Sequence, residues 1–131
     1  MDKKLINTLF WLRISVALVL IMWTIDKVIN VEHAARVYEH FYNIPGLAEG
    51  SLMVMIGIAE FVLIALFLIG RFKNFTYLLV LIIHGISTVS TYAKYISPFE
   101  GTNLLFFAAW PMLAACWMLY VFRDEDTKYN F

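Results

Sequence analysis

Four stretches of about 20 mostly apolar residues, the length a helix needs to cross a bilayer, occupy most of this chain. They run from about Thr8 to Ile29, Leu52 to Ile69, Phe75 to Ala93 and Leu104 to Phe122. Lipid offers the backbone no hydrogen-bond partners, so a segment that crosses it must satisfy itself as a helix. Composition points the same way, since 62% of the 131 residues are hydrophobic and 15% are charged. A soluble domain averages about 45–50% apolar and about 25% charged, so this chain has too little polar surface to cover itself in water. A soluble globular enzyme and a disordered chain are excluded. So is a nucleic-acid binder, because Lys+Arg and Asp+Glu balance at 10 each. The first stretch is too long for a cleavable signal peptide, and no small-residue cleavage site follows it. The sequence predicts an all-α membrane protein of one domain over residues 1–131, a bundle of four transmembrane helices.

The segments between the spans set their arrangement. Arg71-Phe72-Lys73-Asn74 is a very short turn, which makes the second and third helices an antiparallel hairpin. Tyr95 to Gly101 is a loop marked by Pro98 and Gly101. Between the first two spans, Val31, Ala34, Ala35, Tyr38, Phe41 and Tyr42 follow helical spacing. Glu32, His33, Arg36, Glu39 and His40 take the other side, as in a short helix lying at the membrane surface over residues 31–42. Basic residues then orient the chain. Lys3, Lys4, Arg71, Lys73, Arg123 and Lys128 fall on one side and Lys27, Arg36 and Lys94 on the other. The richer side is cytoplasmic by the positive-inside rule, which puts both termini there in a plasma membrane of the bacterial inner type.

Ionisable residues at mid-depth are the most informative in such a chain, because each costs at least about 2.5–3.5 kcal/mol on insertion scales. Glu60 and His84 qualify, each 12 positions from Phe72 at the turn. At about 1.5 Å per residue both lie about 18 Å from one surface, level with each other and within reach of a hydrogen bond if they face. Tyr77, His84, Thr88 and Thr91 form one stripe on the third helix. Arg13, Leu20, Thr24 and Lys27 share a face of the first, with Trp23 beside it and Asp26 next to Lys27. Asn103, Trp110 and Trp117 recur every seven residues on the fourth, where Pro111 introduces a kink.

Each of these has a plainer reading. Glu60 and His84 would serve equally as a satisfied pair that fixes helix orientation. Arg13 and Lys27 lie near helix ends and can snorkel to the interface. The tryptophans and tyrosines double as interface anchors, although Trp110 is too deep for the belt. Thr88 and Thr91 can bond back to their own helix. Cys116, the lone cysteine, reads as an inert buried residue and excludes a disulfide or thiol pair. Counting removes further chemistry. Haem between two histidines needs a second deep His, and a metal site of Glu60 and His84 alone is short of ligands. No nucleophile–base triad or phosphate loop is present. What remains is a small polar cavity among aromatic residues, suited to a flat apolar ligand with carbonyls, such as a quinone.

The arrangement of these residues resembles the DoxX family of four-helix membrane proteins. The likeness rests on Arg13 opening the first helix, Lys27 closing it, the Pro45-Gly46 step, Ile56-Gly57-Ile58-Ala59-Glu60-Phe61, the helix end at Gly70, and Asn103-Leu104-Leu105. It covers roughly residues 10–122, with short and degenerate motifs. Family members often carry glycines where this chain has Trp23-Thr24-Ile25-Asp26, and His84 has no place in the family pattern. Relatives include the membrane subunit of a thiosulfate:quinone oxidoreductase, membrane partners of thiol-stress enzymes and an animal chaperone for nicotinic receptors. The resemblance therefore implies a quinone-linked or redox-associated membrane module.

The expectation is a lipid-embedded protein that binds a quinone as the membrane component of a redox system, with a membrane subunit of a quinone-linked oxidoreductase as its enzymatic form. Glu60 and His84 would exchange protons or hydrogen bonds with the ligand carbonyls, and Trp110 would stack on its ring. Arg13, Lys27, Asn103 and Thr88 would shape the polar lining. Without haem, metal or a thiol pair, electrons need a redox partner protein, and a second copy of the chain is the other candidate partner. The rival expectation is a non-enzymatic assembly or chaperone protein that recognises the helices of a client. The two differ in where Glu60 and His84 face: one enclosed cavity for a ligand, the lipid for a partner helix.

Overall fold

The computed structural model describes residues 3–29 and 50–130. Helix accounts for 82% of the described residues and none forms a strand. In chain order these are α1 (Lys3–Ile29), α2 (Gly50–Ile69), α3 (Lys73–Ser90) and a short α4 (Tyr92–Ile96). A 3-10 segment (Asn103–Ala108) then leads into α5 (Ala109–Val121). The surface helix expected over Val31–Tyr42 and the Pro45-Gly46 step lie outside the described residues. Two stretches, Lys3–Asp26 and Asn103–Val121, are long and apolar enough to cross a membrane, and Val54–Ile69 is a shorter apolar helix.

The hairpin between α2 and α3 follows from Gly70. Its φ of 73° is left-handed, a conformation open to glycine without a Cβ clash. Gly70 N–H donates to Phe67 O at 3.2 Å and Arg71 N–H to Leu66 O at 3.0 Å, the paired bonds of a Schellman cap. Phe72 is also left-handed, at φ 52°. Its carbonyl accepts the Phe75 and Thr76 amides at 2.9 Å each and starts α3 at once. The turn is therefore tighter than its sequence suggested, and α3 begins at Lys73.

Two expected spans are not single α-helices. The third breaks at Thr91, whose hydroxyl lies 3.3 Å from Ser87 O and 3.1 Å from Thr88 O and competes with the helix ladder. The fourth starts as a 3-10 turn and becomes α-helical at Ala109, so the change comes before Pro111 rather than as a kink at it. The reason is geometric: Pro111 then falls in the first turn of α5, where an amide has no intrahelical acceptor and its missing N–H costs nothing.

α1 packs chiefly on α2 and α3 on α5, while α1 also meets α5 and α2 meets α3. The core is Leu9, Val16, Ala17, Leu20, Ile64, Phe67, Tyr77, Val80, Cys116 and Leu119. Buried residues of α3 (Thr76, Tyr77, Val80, His84 and Thr88) recur at helical spacing, so the polar stripe of the sequence faces inward. The chain past Val121 folds back over the end of the helices, where Lys128 Nζ donates to Asn7 Oδ1 at 2.8 Å and Tyr129 sits edge-on to Phe10.

Candidate functional site

The expected site residues fall into groups spread along the helix axes. Glu60, in the middle of α2, is half-buried in a cleft lined by Leu20, Thr24, Leu63, Ile64, Val80 and Ile83. Thr24 is fully buried on α1, and its hydroxyl lies 3.1 Å from Glu60 Oε2 and 2.7 Å from Leu20 O. One hydroxyl hydrogen serves one of these acceptors at a time. The cleft is small, about 20 Å³, where one water needs roughly 10–15 Å³. Ligand pockets run to about 300–1,000 Å³, so this one does not enclose a ring.

His84 does not pair with Glu60, which corrects the expected hydrogen bond between them. Its Nε2 donates to Ala109 O at 2.9 Å, and its Nδ1 is buried without a hydrogen-bond partner. Its ring stacks on Trp23 at 6.0 Å. Glu60 meets Thr24 of α1, whereas His84 bonds the first carbonyl of α5 and rests its ring on Trp23 of α1. Counting residues fixes height along a helix, and packing decides direction. The remaining polar candidates gather beyond His84. Thr88 Oγ1 donates to its own helix at His84 O, 2.8 Å away, and the Tyr95 hydroxyl donates to Thr88 O at 2.9 Å. Trp110 packs on Tyr95 with ring centroids 5.6 Å apart, not over the Glu60 cleft. Asn103 Nδ2 donates to Ser97 O at 2.8 Å and closes the loop before the 3-10 segment. Lys27 stands near the end of α1, and its side chain lies outside the described residues.

Arg13 lies in neither group. It is 11 residues from Thr24, about 16 Å along α1. Its side chain is fully buried, which corrects the snorkelling reading, and its partners come from the far end of the sequence. Nη1 stands 3.0 Å from Asp126 Oδ1, an ion pair with both side chains fully buried. That contact lies off the N–H direction, so Oδ1 is charge-paired without a directed hydrogen bond. Nη1 also donates to the Tyr77 hydroxyl at 3.3 Å, Tyr77 donates to Asp126 Oδ2 at 2.5 Å, and Nη2 donates to Lys128 O at 2.5 Å. Lys73 Nζ donates to the backbone carbonyl of Asp126 at 2.6 Å. Burial pushes the Lys73 ammonium below the ordinary lysine value against the opposing pull of Asp126. Sequence reasoning missed Asp126 altogether. It sits in a short polar tail where Asp124 and Glu125 look just like it, and a pairing this distant leaves no local pattern.

Chemically, the Glu60 cleft offers a carboxyl and a hydroxyl in apolar surroundings, able to exchange hydrogen bonds with one polar atom. The Arg13 cluster holds a carboxylate. Among the described residues, no three His, Cys, Asp or Glu side chains are grouped to hold a metal. Compared with known proteins, the chain matches no family model, no curated protein and no solved structure.

Proposed function

We propose that the chain is a four-helix membrane protein of the DoxX type, with both termini cytoplasmic in a bacterial inner membrane. In this reading it presents Glu60 to a lipid-soluble ligand such as a quinone and serves as the membrane component of a redox system. The observation that carries the proposal is Glu60 itself. A carboxyl at the middle of an apolar helix is costly to keep in lipid, and here it opens with Thr24 onto a cleft that is otherwise hydrocarbon. Support for the membrane setting comes from large apolar side chains left exposed on every long helix: Trp11 and Met22 on α1, Met55 and Val62 on α2, Phe75 and Ile86 on α3, and Trp117 on α5. Water disfavours so much exposed hydrocarbon and lipid does not. Because the cleft admits about one water, a quinone ring lies along the flank of the helices and only a carbonyl oxygen reaches Glu60. Electron transfer then belongs to a partner protein.

The size of the cleft also favours a second reading, in which a polar side chain of a client helix enters it. One experiment separates the two. The protein is placed in nanodiscs with a photoreactive quinone analogue, and adducts are mapped by mass spectrometry. Adducts on Leu63 and Ile83, weakened severalfold in Glu60→Leu, fit loss of the carboxyl O–H that a quinone carbonyl accepts. Adducts scattered over the lipid-facing surface and indifferent to Glu60→Leu would sink the quinone reading and leave the client helix.

A further inference from the structure

The Arg13 cluster holds its carboxylate poorly for the donors it assembles. A guanidinium carries five N–H donors in a planar fork. Of Arg13's nitrogens, Nη1 serves Tyr77 and faces Asp126, Nη2 serves a backbone carbonyl, and Nε has no acceptor although the side chain is fully buried. Lys73 reaches the backbone carbonyl of Asp126 rather than its carboxylate. Two cations and a phenol thus converge on one singly charged group that takes a directed hydrogen bond from the phenol alone. A tetrahedral oxyanion suits these donors better. Two of its oxygens match the guanidinium fork and a third meets the lysine, which binds phosphate as a point charge.

The geometry points to a binding site for a phosphate-type oxyanion formed by Arg13, Lys73 and Tyr77, which Asp126 of the chain's own tail occupies as an internal stand-in. Besides the Asp126 carboxylate, the tail gives Arg13 the Lys128 carbonyl and Lys73 the Asp126 carbonyl, and its other holds are at the rim. Lys128 bonds Asn7, Tyr129 rests edge-on against Phe10 while staying 60% exposed, and Asn130 lies over Gly70. Lifting the tail costs all of these contacts, and an incoming anion replaces the carboxylate and offers the freed Arg13 and Lys73 donors new acceptors. The anion is either a lipid phosphate or a free one, since both carry the same oxygens. The inference takes from the proposed function only the membrane setting; it stands if Glu60 binds nothing.

The test follows the tail with a spin label at Thr127→Cys in a Cys116→Ala background. The protein is placed in phosphate-free maltoside micelles, alone or with phosphatidylglycerol, inorganic phosphate or chloride, the salts at equal ionic strength. The docked tail gives an immobile spectrum in plain maltoside, and the mobile fraction rises severalfold with the oxyanion. A response to phosphatidylglycerol alone identifies the lipid headgroup, and a response to inorganic phosphate identifies the free anion. Lys73→Gln removes a donor to the tail as well as to the anion, so the mobile fraction without oxyanion rises and the further severalfold rise with it is lost. A tail that stays immobile in every mixture overturns the proposal. So does release by chloride as effective as by phosphate, or a response that Lys73→Gln does not change.

Discussion

Replacing Gly70 by alanine tests the turn and the tail together. At φ 73° a Cβ meets the steric cost of the left-handed region, about 1–2 kcal/mol. The same Cβ would collide with Asn130 Oδ1 and lie 2.5 Å from Asn130 Cγ. That side chain is the flexible partner, so it gives way and loses its hydrogen bond to Lys128 O, 3.2 Å long. A neutral bond of this kind contributes about 0.5–1.5 kcal/mol, which brings the expected destabilisation to about 2–3 kcal/mol. In an Asn130→Ala background the collision is already gone, and Gly70→Ala should then cost only the backbone term of about 1–2 kcal/mol. Equilibrium unfolding in mixed micelles, followed by tryptophan fluorescence, measures all four corners of the cycle. An equal cost in both backgrounds would mean that the tail does not lie on Gly70. No cost in either would mean that the turn is not left-handed there.

Two further outcomes are expected. His84→Phe keeps a ring against Trp23 but removes the second donor to Ala109 O, which still takes its helical bond, so it should lose about 0.5–1.5 kcal/mol in the same unfolding assay. Its effect should add to that of Glu60→Gln, and strong coupling between the two would restore the pair that the fold separates. For topology, thiol labelling of Asp124→Cys and Phe99→Cys in a cysteine-free background should reach the two positions from opposite sides of the membrane, with Asp124→Cys on the cytoplasmic side; access to both from one side would overturn the four-span reading.

The parts of this structure legible in the sequence are those set by local chemistry. Helix positions follow from apolar runs, the hairpin from Gly70 followed by charge, and the inward face of α3 from the spacing of Tyr77, His84 and Thr88. The misreadings share a different cause. Pro111 marks a helix start rather than a kink, and only the preceding 3-10 segment tells the two apart. Glu60 and His84 stand equally far from the turn in sequence, yet their partners, Thr24 for one and Ala109 O with Trp23 for the other, follow from packing that no spacing rule contains. Arg13 stood out as a charge among apolar residues, but its partner was invisible. Any of several acidic residues would have balanced it on paper, and the fold chooses Asp126 because Tyr77 and Lys73 converge there.

The Arg13–Asp126 pair also has a history in time. Arg13 is made early, and Lys128, whose carbonyl holds the same guanidinium, follows 115 positions later. At about 5–20 residues per second, roughly 6 to 23 seconds of synthesis separate the charge from the groups that neutralise it. During that interval Arg13 lacks the carboxylate and the carbonyl that hold it in the finished fold. The native contacts of Arg13 with Asp126 and Lys128 therefore form only after that interval, and a chain stalled before Asp126 lacks them.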